Sequence, residues 1–386
     1  MSTAGPSQGA RPPGGAARSD DRGEHTSAAL QPGAQTQSRT SAGRTMRAVV
    51  YEGPRQLAVR DRPYPVRRDG EVILKVEATG ICGSELHGYL GHDPLVQPGA
   101  VFGHEFAGIV VDVDSTDSDR FPLDTRVTSN SAVTCGRCDF CKQGRDNLCL
   151  SRTRMGKALP GGFAEYVAVP VSALIEMPQD MDAIHASLVE PLATPMHGIR
   201  LAMHALVRPL AEAKALVLGG GTIGLLAAML LRSFGCRDVT LAEINPARRA
   251  AAERHAGCRS YDPRATTPDE GAYDYVFDAV GATATMAAAV RAVRRGGVIS
   301  EVGLQDREVV LDVQKLTRAG ITLIGGANYP TTDLRASVKA IHSGLLGDLS
   351  WIQTRSLEQA PEAFAELAAG NYPFAKIILV PDQGPI

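Results

Sequence analysis

The 386-residue chain has little net charge and lacks an uninterrupted apolar run of membrane-spanning length. Its 40 basic and 42 acidic residues give a formal net charge of −2, so it lacks the electrostatic footprint of a protein that binds nucleic acid or an anionic membrane. The longest uncharged stretch, residues 215–231, contains four glycines and fits a strand, a turn and a buried helix. No secretory signal pattern is present. We expect a cytoplasmic protein with a small neutral or polar ligand.

Residues 1–45 contain no Val, Ile, Phe, Tyr or Trp and are rich in Gly, Pro, Ala, Ser, Gln and Thr. A segment of this composition cannot bury enough apolar surface to offset the entropy of ordering it. The sequence therefore predicts a disordered tail over residues 1–45 and a fold that begins at the strand pattern opening with Met46.

The remaining chain is long enough for two domains, since single hydrophobic cores usually stop growing before this size. Residues 46–194 carry short β-rich runs broken by Gly and Pro, which predict a β-rich domain. Residues 195–328 alternate strands with helices, a pattern that predicts a doubly wound parallel sheet. Residues 329–386 are expected to complete the first domain, ending in a strand that opens with Lys376. The predicted fold class is α/β.

Four of the seven cysteines crowd into fifteen residues. Their spacing, C-x2-C-x2-C-x7-C, lets one loop surround a tetrahedral ion, which favours a structural zinc site without an open position for substrate. An iron–sulfur cluster is the main rival, but ferredoxins continue with x3-C-P, whereas seven residues intervene here. Unliganded thiols are the remaining alternative. The predicted ligands are Cys135, Cys138, Cys141 and Cys149.

A glycine-rich loop, G-x-G-x-x-G, lies between a predicted strand and a predicted helix over residues 223–234. In this context it indicates a dinucleotide site, because glycine lets the backbone turn tightly beneath a pyrophosphate at the helix N-terminus. Glu243 closes the next strand and can bind both adenosine ribose hydroxyls, which favours NAD over NADP. Arg248 and Arg249 lie shortly after Glu243 in the chain, and their positive charge weakens this preference for NAD. A glycine turn without nucleotide is the alternative. The predicted loop residues are Gly219, Gly221, Thr222, Ile223 and Gly224.

Thiolate, imidazole and carboxylate groups recur upstream at Cys82, at the pair His104 and Glu105, and at Glu190. A lone buried Cys or His is more often a packing residue than a ligand. Together these groups make a mixed zinc site plausible, although spacing alone does not show that they meet.

The order of these motifs resembles that of the zinc-containing medium-chain dehydrogenase/reductase family. The shared motifs are Gly80-Ile-Cys-Gly-Ser, Gly103-His-Glu, the four-cysteine loop, Gly161-Gly-Phe-Ala-Glu-Tyr, Glu190-Pro and the glycine loop. The polyol, butanediol and threonine dehydrogenase branch is the most similar, because Glu190-Pro stands where the liver-type enzymes of the family carry a third sulfur or nitrogen ligand. The resemblance covers residues 46–381. It implies a GroES-like β-rich catalytic domain and a Rossmann doubly wound parallel-sheet domain.

The family resemblance also implies residue roles. Cys82, His104 and Glu105 would bind a catalytic zinc, with Glu190 as a direct or water-bridged fourth partner. Ser84 and His87 match proton-relay positions; the alternative is an ordinary loop hydroxyl at Ser84 and a solvated surface imidazole at His87. Thr194 matches a position beside the nicotinamide. The implied reaction is hydride transfer between an alcohol or ketone and NAD, with zinc as Lewis acid and two zinc ions per subunit. A homodimer or homotetramer is also implied.

Three departures from the family pattern limit the substrate prediction. Glu85 replaces an aspartate, Thr222 replaces a proline in the glycine loop, and Asn328 stands where sorbitol-type enzymes carry arginine before Tyr329. Losing that arginine removes a rigid donor for polyol hydroxyls, so sorbitol is in doubt while diols, amino alcohols, cyclitols and secondary alcohols remain candidates. A zinc-free quinone or enoyl reductase and a non-catalytic nucleotide-binding protein are the alternative functions.

Overall fold

The computed structural model describes residues 43–370 and 372–381. Apart from residues 43–45, the predicted disordered tail therefore lies outside the described residues. The first strand begins at Thr45, next to the predicted start of the fold at Met46. No helix in the described part of the chain has the length and apolar character needed to cross a membrane.

Strands and helices alternate most regularly in the middle third of the chain. The strands are β1 Thr45–Gly53, β2 Gln56–Pro63, β3 Glu71–Gly80, β4 Glu105–Asp112, β5 Arg126–Ser129, β6 Ala132–Val133, β7 Thr153–Arg154, β8 Tyr166–Pro170, β9 Leu174–Glu176, β10 Lys214–Leu218, β11 Asp238–Ala242, β12 Arg259–Tyr261, β13 Tyr273–Asp278, β14 Val293–Glu301, β15 Thr322–Gly325, β16 Ile352–Ser356 and β17 Lys376–Val380. The helices are α1 Gly83–Tyr89, α2 Asp139–Lys142, α3 Ala183–Ala186, α4 Val189–Ala205, α5 Thr222–Ser233, α6 Pro246–Ala251, α7 Thr283–Ala292, α8 Val313–Ala319, α9 Thr331–His342 and α10 Ala360–Ala368.

The β-rich part is built on a seven-stranded sheet. Its order is β16-β17-β3-β4-β5-β9, and β8 pairs with β3 beside this path. Strand β17 pairs antiparallel with β3, joining Ile378 to Gly80 and Leu379 to Thr79. The last strand thus returns to the first sheet, as the sequence pattern predicted. Buried Val, Phe and Leu side chains fill the space beneath it.

The second sheet has six parallel strands in the order β12-β11-β10-β13-β14-β15. Strands β11 and β12 lie on one side of β10, and β13 to β15 lie on its other side. The strand order therefore reverses between β10 and β13, and a crevice opens between the carboxyl ends of these two strands. Ligands of doubly wound sheets bind at such a switch point. This arrangement confirms the predicted fold class.

Local signals explain where the helices of this sheet begin and end. The helix predicted over residues 223–234 is α5, Thr222–Ser233. Asn245 caps α6 by accepting hydrogen bonds from the backbone N–H groups of Ala247 and Arg248, with Pro246 at the first helical position. Gly257 ends the following π-helical turn in the left-handed conformation, with a φ of 57°.

Helix α4 joins the two sheets through a shared core. It packs against α5 and α9, and its side chains Leu192 and Ile199 are fully buried in the largest apolar cluster. The helix continues through residues 194 and 195, where the sequence placed the first domain boundary. The proposed boundaries at 194/195 and 328/329 stay predictions.

Candidate functional site

Three of the predicted mixed-site residues come together. Ligand atoms of Cys82, His104 and Glu105 all lie within 4.8 Å of one another. Cys82 is the N-cap of α1, two residues after the end of β3, whereas Glu105 opens the neighbouring strand β4. Since β3 and β4 are paired, with Gly80 opposite Glu105, the sheet register brings the three side chains together.

Glu85 orients His104 within this set. Its Oε1 lies 2.8 Å from His104 Nδ1 and also accepts hydrogen bonds from the backbone N–H groups of Gly103 and His104, while its Oε2 accepts one from Cys82 N. Metal-binding histidines commonly donate one ring N–H to a carboxylate in this way, which leaves the other nitrogen for the metal. The Glu85 side chain therefore fixes the orientation of the His104 ring through Nδ1.

The electrostatics of the set favour a cation. Burial opposes a charge on His104, yet the carboxylates of Glu85 and Glu190 and the thiol of Cys82 raise the pKa of the imidazole well above its ordinary value. Anionic groups thus outweigh the cost of desolvation and stabilise positive charge at this point. A set of one sulfur, one nitrogen and one oxygen donor in such surroundings fits a zinc ion.

Lys376 is a site residue that the sequence did not identify. Its side chain is fully buried, its Nζ donates to Glu105 Oε2, and it also donates to the backbone oxygen of Ile81 at 2.9 Å. A lysine is almost never fully buried without a partner. The sequence signal for a buried cation was a lysine at the start of the apolar strand β17. That signal does not identify Glu105 as the partner of the lysine.

Glu190 lies on α4, and its carboxylate is not among the donor atoms that lie within 4.8 Å of one another. Tyr329 Oη donates a hydrogen bond to Glu190 Oε1 and lies 2.9 Å from Ser131 Oγ. Burial and the nearby Glu190 carboxylate raise the pKa of the Tyr329 phenol well above its ordinary value, so the phenol stays protonated and can donate. Glu190 is nevertheless near enough to influence the pKa of His104.

The four cysteine sulfurs of the predicted structural site also converge within 4.8 Å of one another. A tetrahedron with Zn–S bonds of about 2.3 Å has edges of about 3.8 Å. The Cys138–Cys141 and Cys135–Cys141 sulfur pairs are 3.5 and 4.0 Å apart. Backbone N–H groups of Arg137 and Cys138 lower the pKa of Cys135 to about 6, which favours the thiolate that metals bind. All seven cysteines are free thiols.

The glycine loop has the shape that a bound dinucleotide requires. Gly219 has a φ of 92°, which side chains other than glycine rarely adopt. A Cβ on Gly224 would lie 1.8 Å from Gly219 O, so only glycine lets α5 start this close to the loop. A Cβ on Gly221 would meet nothing within 4 Å. The backbone at Gly221 therefore faces open space at the N-terminus of α5, where a pyrophosphate would fit.

Glu243 lies beside this loop at the end of β11. It is 7% exposed, and its Oε2 accepts a hydrogen bond of 2.6 Å from Gly220 N. Arg249 is held by the backbone oxygens of Glu243 and Ile244 and by Asp262. A carboxylate thus lies beside the glycine loop, while the guanidinium of Arg249 already has partners.

The remaining predicted residues lie close to these groups. Ser84 Oγ is 3.5 Å from Cys82 Sγ, and the exposed His87 follows one turn later on α1. Thr194 is half-buried on α4, one turn after Glu190.

Contacts at the end of the chain connect the glycine loop with the mixed donor set. Thr222 Oγ1 donates to Ala375 O at 2.5 Å, and the next residue, Lys376, donates to Glu105. The adjacent residues Ala375 and Lys376 therefore contact the glycine loop and the mixed donor set, respectively. Such a pairing is typical of a metal-assisted, nucleotide-linked oxidoreductase.

Comparisons with known proteins agree with this class. The family described as "Alcohol dehydrogenase GroES-like domain" matches residues 68–179, and that described as "Zinc-binding dehydrogenase" matches residues 222–343. L-galactonate-5-dehydrogenase of Escherichia coli (strain K12) is 30% identical over 298 residues, covering 75% of this chain and 85% of that protein. The chain therefore belongs to the zinc-dependent medium-chain dehydrogenase/reductase family and is an oxidoreductase.

Other relatives extend the comparison over most of the chain. Sorbitol dehydrogenase of Bacillus subtilis (strain 168) is 28% identical to this chain, and the alignment covers 88% of this chain and 98% of the relative. A zinc-binding dehydrogenase structure from Sinorhizobium meliloti 1021, bound to NADP, has a TM-score of 0.80 at 30% identity and covers 88% of this chain and all of its own. Acetophenone reductase from Geotrichum candidum NBRC 4597, in complex with NAD, has a TM-score of 0.79 at 26% identity and covers 89% of this chain and 98% of its own.

Proposed function

We propose that this chain is a zinc-dependent dehydrogenase that transfers hydride between a secondary alcohol or polyol, or the corresponding ketone, and NAD. The observation that carries the proposal is the convergence of ligand atoms of Cys82, His104 and Glu105 within 4.8 Å of one another. The adjacent residues Ala375 and Lys376 connect this set with the glycine loop. The names of the sorbitol and L-galactonate relatives point to the same substrate class.

Cys82, His104 and Glu105 would hold the catalytic zinc, with Glu190 as fourth partner. When bound there, zinc supplies a Lewis acid that polarises the substrate oxygen. Glu85 keeps the His104 ring oriented through its contact with Nδ1. The hydroxyl of Ser84 lies beside Cys82 and would accept the substrate proton, which His87 would then release to solvent because it is the exposed member of the pair.

A second, structural zinc would be held by the four-cysteine loop, giving two ions per subunit. The converging sulfurs support this assignment. A closed four-sulfur site offers no position for substrate, so its role would be to stabilise the fold.

We favour NAD over NADP because Glu243 places a carboxylate next to the glycine loop. A carboxylate there accepts hydrogen bonds from ribose hydroxyls and repels a 2′-phosphate. Related structures carry NADP in one case and NAD in another, so the argument rests on Glu243. The loop glycines would bind the pyrophosphate, and Thr194 would lie beside the nicotinamide.

The substrate pocket would differ from that of sorbitol-type enzymes at Asn328. Its side-chain oxygen is 3.4 Å from an Arg154 nitrogen, so the asparagine leaves a short polar group in place of a multidentate donor. Diols, cyclitols, amino alcohols and secondary alcohols are therefore the substrates to test first.

A homodimer or homotetramer would form through β15, one of the two edge strands of the parallel sheet, where Leu323 is 39% exposed. A cytoplasmic location remains part of the proposal.

Substitution of the metal ligands tests the function directly. We expect Cys82→Ser and His104→Gln to abolish NAD reduction on a panel of secondary alcohols and polyols while the circular dichroism spectrum is retained. Cys258→Ser, at a buried cysteine outside both donor sets, serves as a matched control with unchanged turnover. Full activity in either ligand variant would refute the proposal.

A further inference from the structure

Residues 327–331, here called the linking segment, lie between the four-cysteine loop and Glu190. The segment reads Ala327-Asn328-Tyr329-Pro330-Thr331, and its last residue begins α9. The segment contacts two parts of the chain that are far apart in sequence. Ala327 and Thr331 contact Asn147 and Asp146, which shortly precede Cys149. Tyr329 contacts Glu190.

The four-cysteine loop caps α9 through Asp146. The backbone N–H of Thr331 donates to both Asp146 carboxylate oxygens at 3.1 and 3.3 Å, and the Thr331 hydroxyl donates to Oδ2. The first N–H groups of a helix lack intrahelical partners and lie at its positive end, so an anionic acceptor is well suited to this place. The N-cap residue of α9, Pro330, supplies no side-chain cap.

A second contact ties the start of the linking segment to the same loop. Asn147 Nδ2 donates to Ala327 O at 2.9 Å. Asp146 and Asn147 belong to a single turn of 3₁₀ helix that ends at Cys149, whose backbone N–H donates to Asp146 O at 2.9 Å. The residues that hold the linking segment are therefore in direct backbone contact with a predicted metal ligand.

The backbone of the linking segment is constrained at two residues. Asn328 lies in the narrow left-handed region with a φ of 52°, and the ring of Pro330 fixes the φ angle of Pro330 itself. Tyr329 is 3% exposed, and its hydroxyl contacts both Glu190 and Ser131. A displacement at Thr331 would therefore move the hydroxyl that holds Glu190.

We propose that the four-cysteine loop positions Glu190 through the linking segment, with Asp146, Thr331 and Tyr329 as positioning residues. The loop would then have a role in the reaction besides stabilising the fold, because an ordered loop is needed to align Glu190 with the catalytic metal. This inference rests on the proposed function for its assignment of Glu190 to the metal site.

Thr331→Val removes, at nearly constant volume, the hydroxyl that donates to Asp146 and accepts a hydrogen bond from Asn130 Nδ2 at 3.2 Å. Loss of these contacts predicts that kcat falls roughly three- to tenfold and that a chelator removes the catalytic zinc faster by a similar factor. The Michaelis constant for NAD should not change, since the hydrogen bonds of the segment go to Asn130, Ser131, Asp146, Asn147, Arg154 and Glu190 and not to the glycine loop. The four-cysteine zinc should stay bound, and Thr331→Ser should restore wild-type behaviour.

Cobalt substitution gives a readout that is independent of turnover. In the cobalt-loaded catalytic site, Thr331→Val should alter the visible absorption bands, which depend on the ligand arrangement. Thr317→Val is the matched control, because its hydroxyl donates at 2.9 Å to Val313 O within α8, outside both donor sets, and it should leave the spectrum and turnover unchanged. Tyr329→Phe should reproduce the spectral change and keeps the test available if Thr331→Val does not fold.

The double variant Tyr329→Phe/Thr331→Val separates positioning from general loosening. If Thr331 acts through Tyr329, the double variant should behave like Tyr329→Phe alone. Fully additive effects, or a Thr331→Val protein with wild-type chelation rate and cobalt spectrum, would overturn the inference while leaving the proposed function intact. A wild-type protein without chelatable zinc would overturn both.

Discussion

Replacing Lys376 by methionine should destabilise the metal-free protein, because it leaves the Glu105 carboxylate buried without its cation. The lysine side chain is 0% exposed and the glutamate 2%. Breaking a buried ion pair by removing one partner typically costs about 3–5 kcal/mol, because the remaining charge has lost its compensation. Methionine has a similar length and fits an apolar strand, so little of this loss should come from packing.

The loss of stability should depend on pH. Burial raises the pKa of the Glu105 carboxyl above its ordinary value, and Lys376 opposes this shift. Without the lysine the folded-state pKa rises further. A carboxyl group with a raised folded-state pKa stabilises the fold fully only below its unfolded pKa, and that contribution is lost as pH rises through the folded value. The deficit of the variant should therefore grow between pH 5 and pH 8.

Urea unfolding of chelator-treated protein at several pH values measures this deficit. Lys339→Met, at an exposed position on α9, is the control and should change the free energy of unfolding by less than about 0.5 kcal/mol. Adding Glu105→Gln to Lys376→Met removes the uncompensated charge and should recover more than half of the loss. A deficit below about 1 kcal/mol that does not vary with pH would refute the assigned role of this ion pair.

Three further predictions concern the cofactor and the proton path. Gly224→Ala should lower the melting temperature, because the new Cβ would lie 1.8 Å from Gly219 O. At Gly221 a Cβ would meet nothing within 4 Å, so Gly221→Ala should keep the melting temperature. The same variant should weaken NAD binding measured by calorimetry, because its methyl group would occupy space next to the pyrophosphate. Glu243→Ser should raise the NADP-to-NAD ratio of kcat/KM at least about tenfold, since the carboxylate no longer repels a 2′-phosphate; an unchanged ratio would contradict this role. His87→Ala should lower kcat by about tenfold, with recovery in imidazole buffer, and a variant that imidazole does not rescue would argue against the relay.

The sequence predicted the fold well where the determining forces are local. The apolar strand Lys214–Leu218, the glycine loop and the N-cap at Asn245 are each recognisable within a few residues. Alternation of such strands with helices then leaves few possible sheet topologies, and the six-stranded parallel sheet follows. The predicted helix 223–234 differs from α5 by one residue at each end.

The contacts that organise the site could not be predicted in the same way. Lys376 and Glu105 are 271 residues apart in the chain, and Thr331 and Asp146 are 185 apart. Local sequence patterns carry no information on such pairings, because the first depends on the order of strands within one sheet and the second on how a loop packs against the start of α9. The hydrogen bond from Tyr329 to Glu190 joins residues 139 positions apart, and the sequence assigned no role to Tyr329. The roles assigned to the metal and cofactor residues remain predictions.

Metal content per subunit tests the central claim most directly. Purified protein is analysed by plasma mass spectrometry before and after mild chelation, while NAD reduction is followed on secondary alcohols and polyols. We predict about two zinc ions per subunit, one of which is lost on chelation together with activity, because the mixed site is open and the four-sulfur site is closed. About one zinc per subunit, unaffected by chelation, would mean that Cys82 and His104 hold no metal and would contradict the zinc-dependent mechanism.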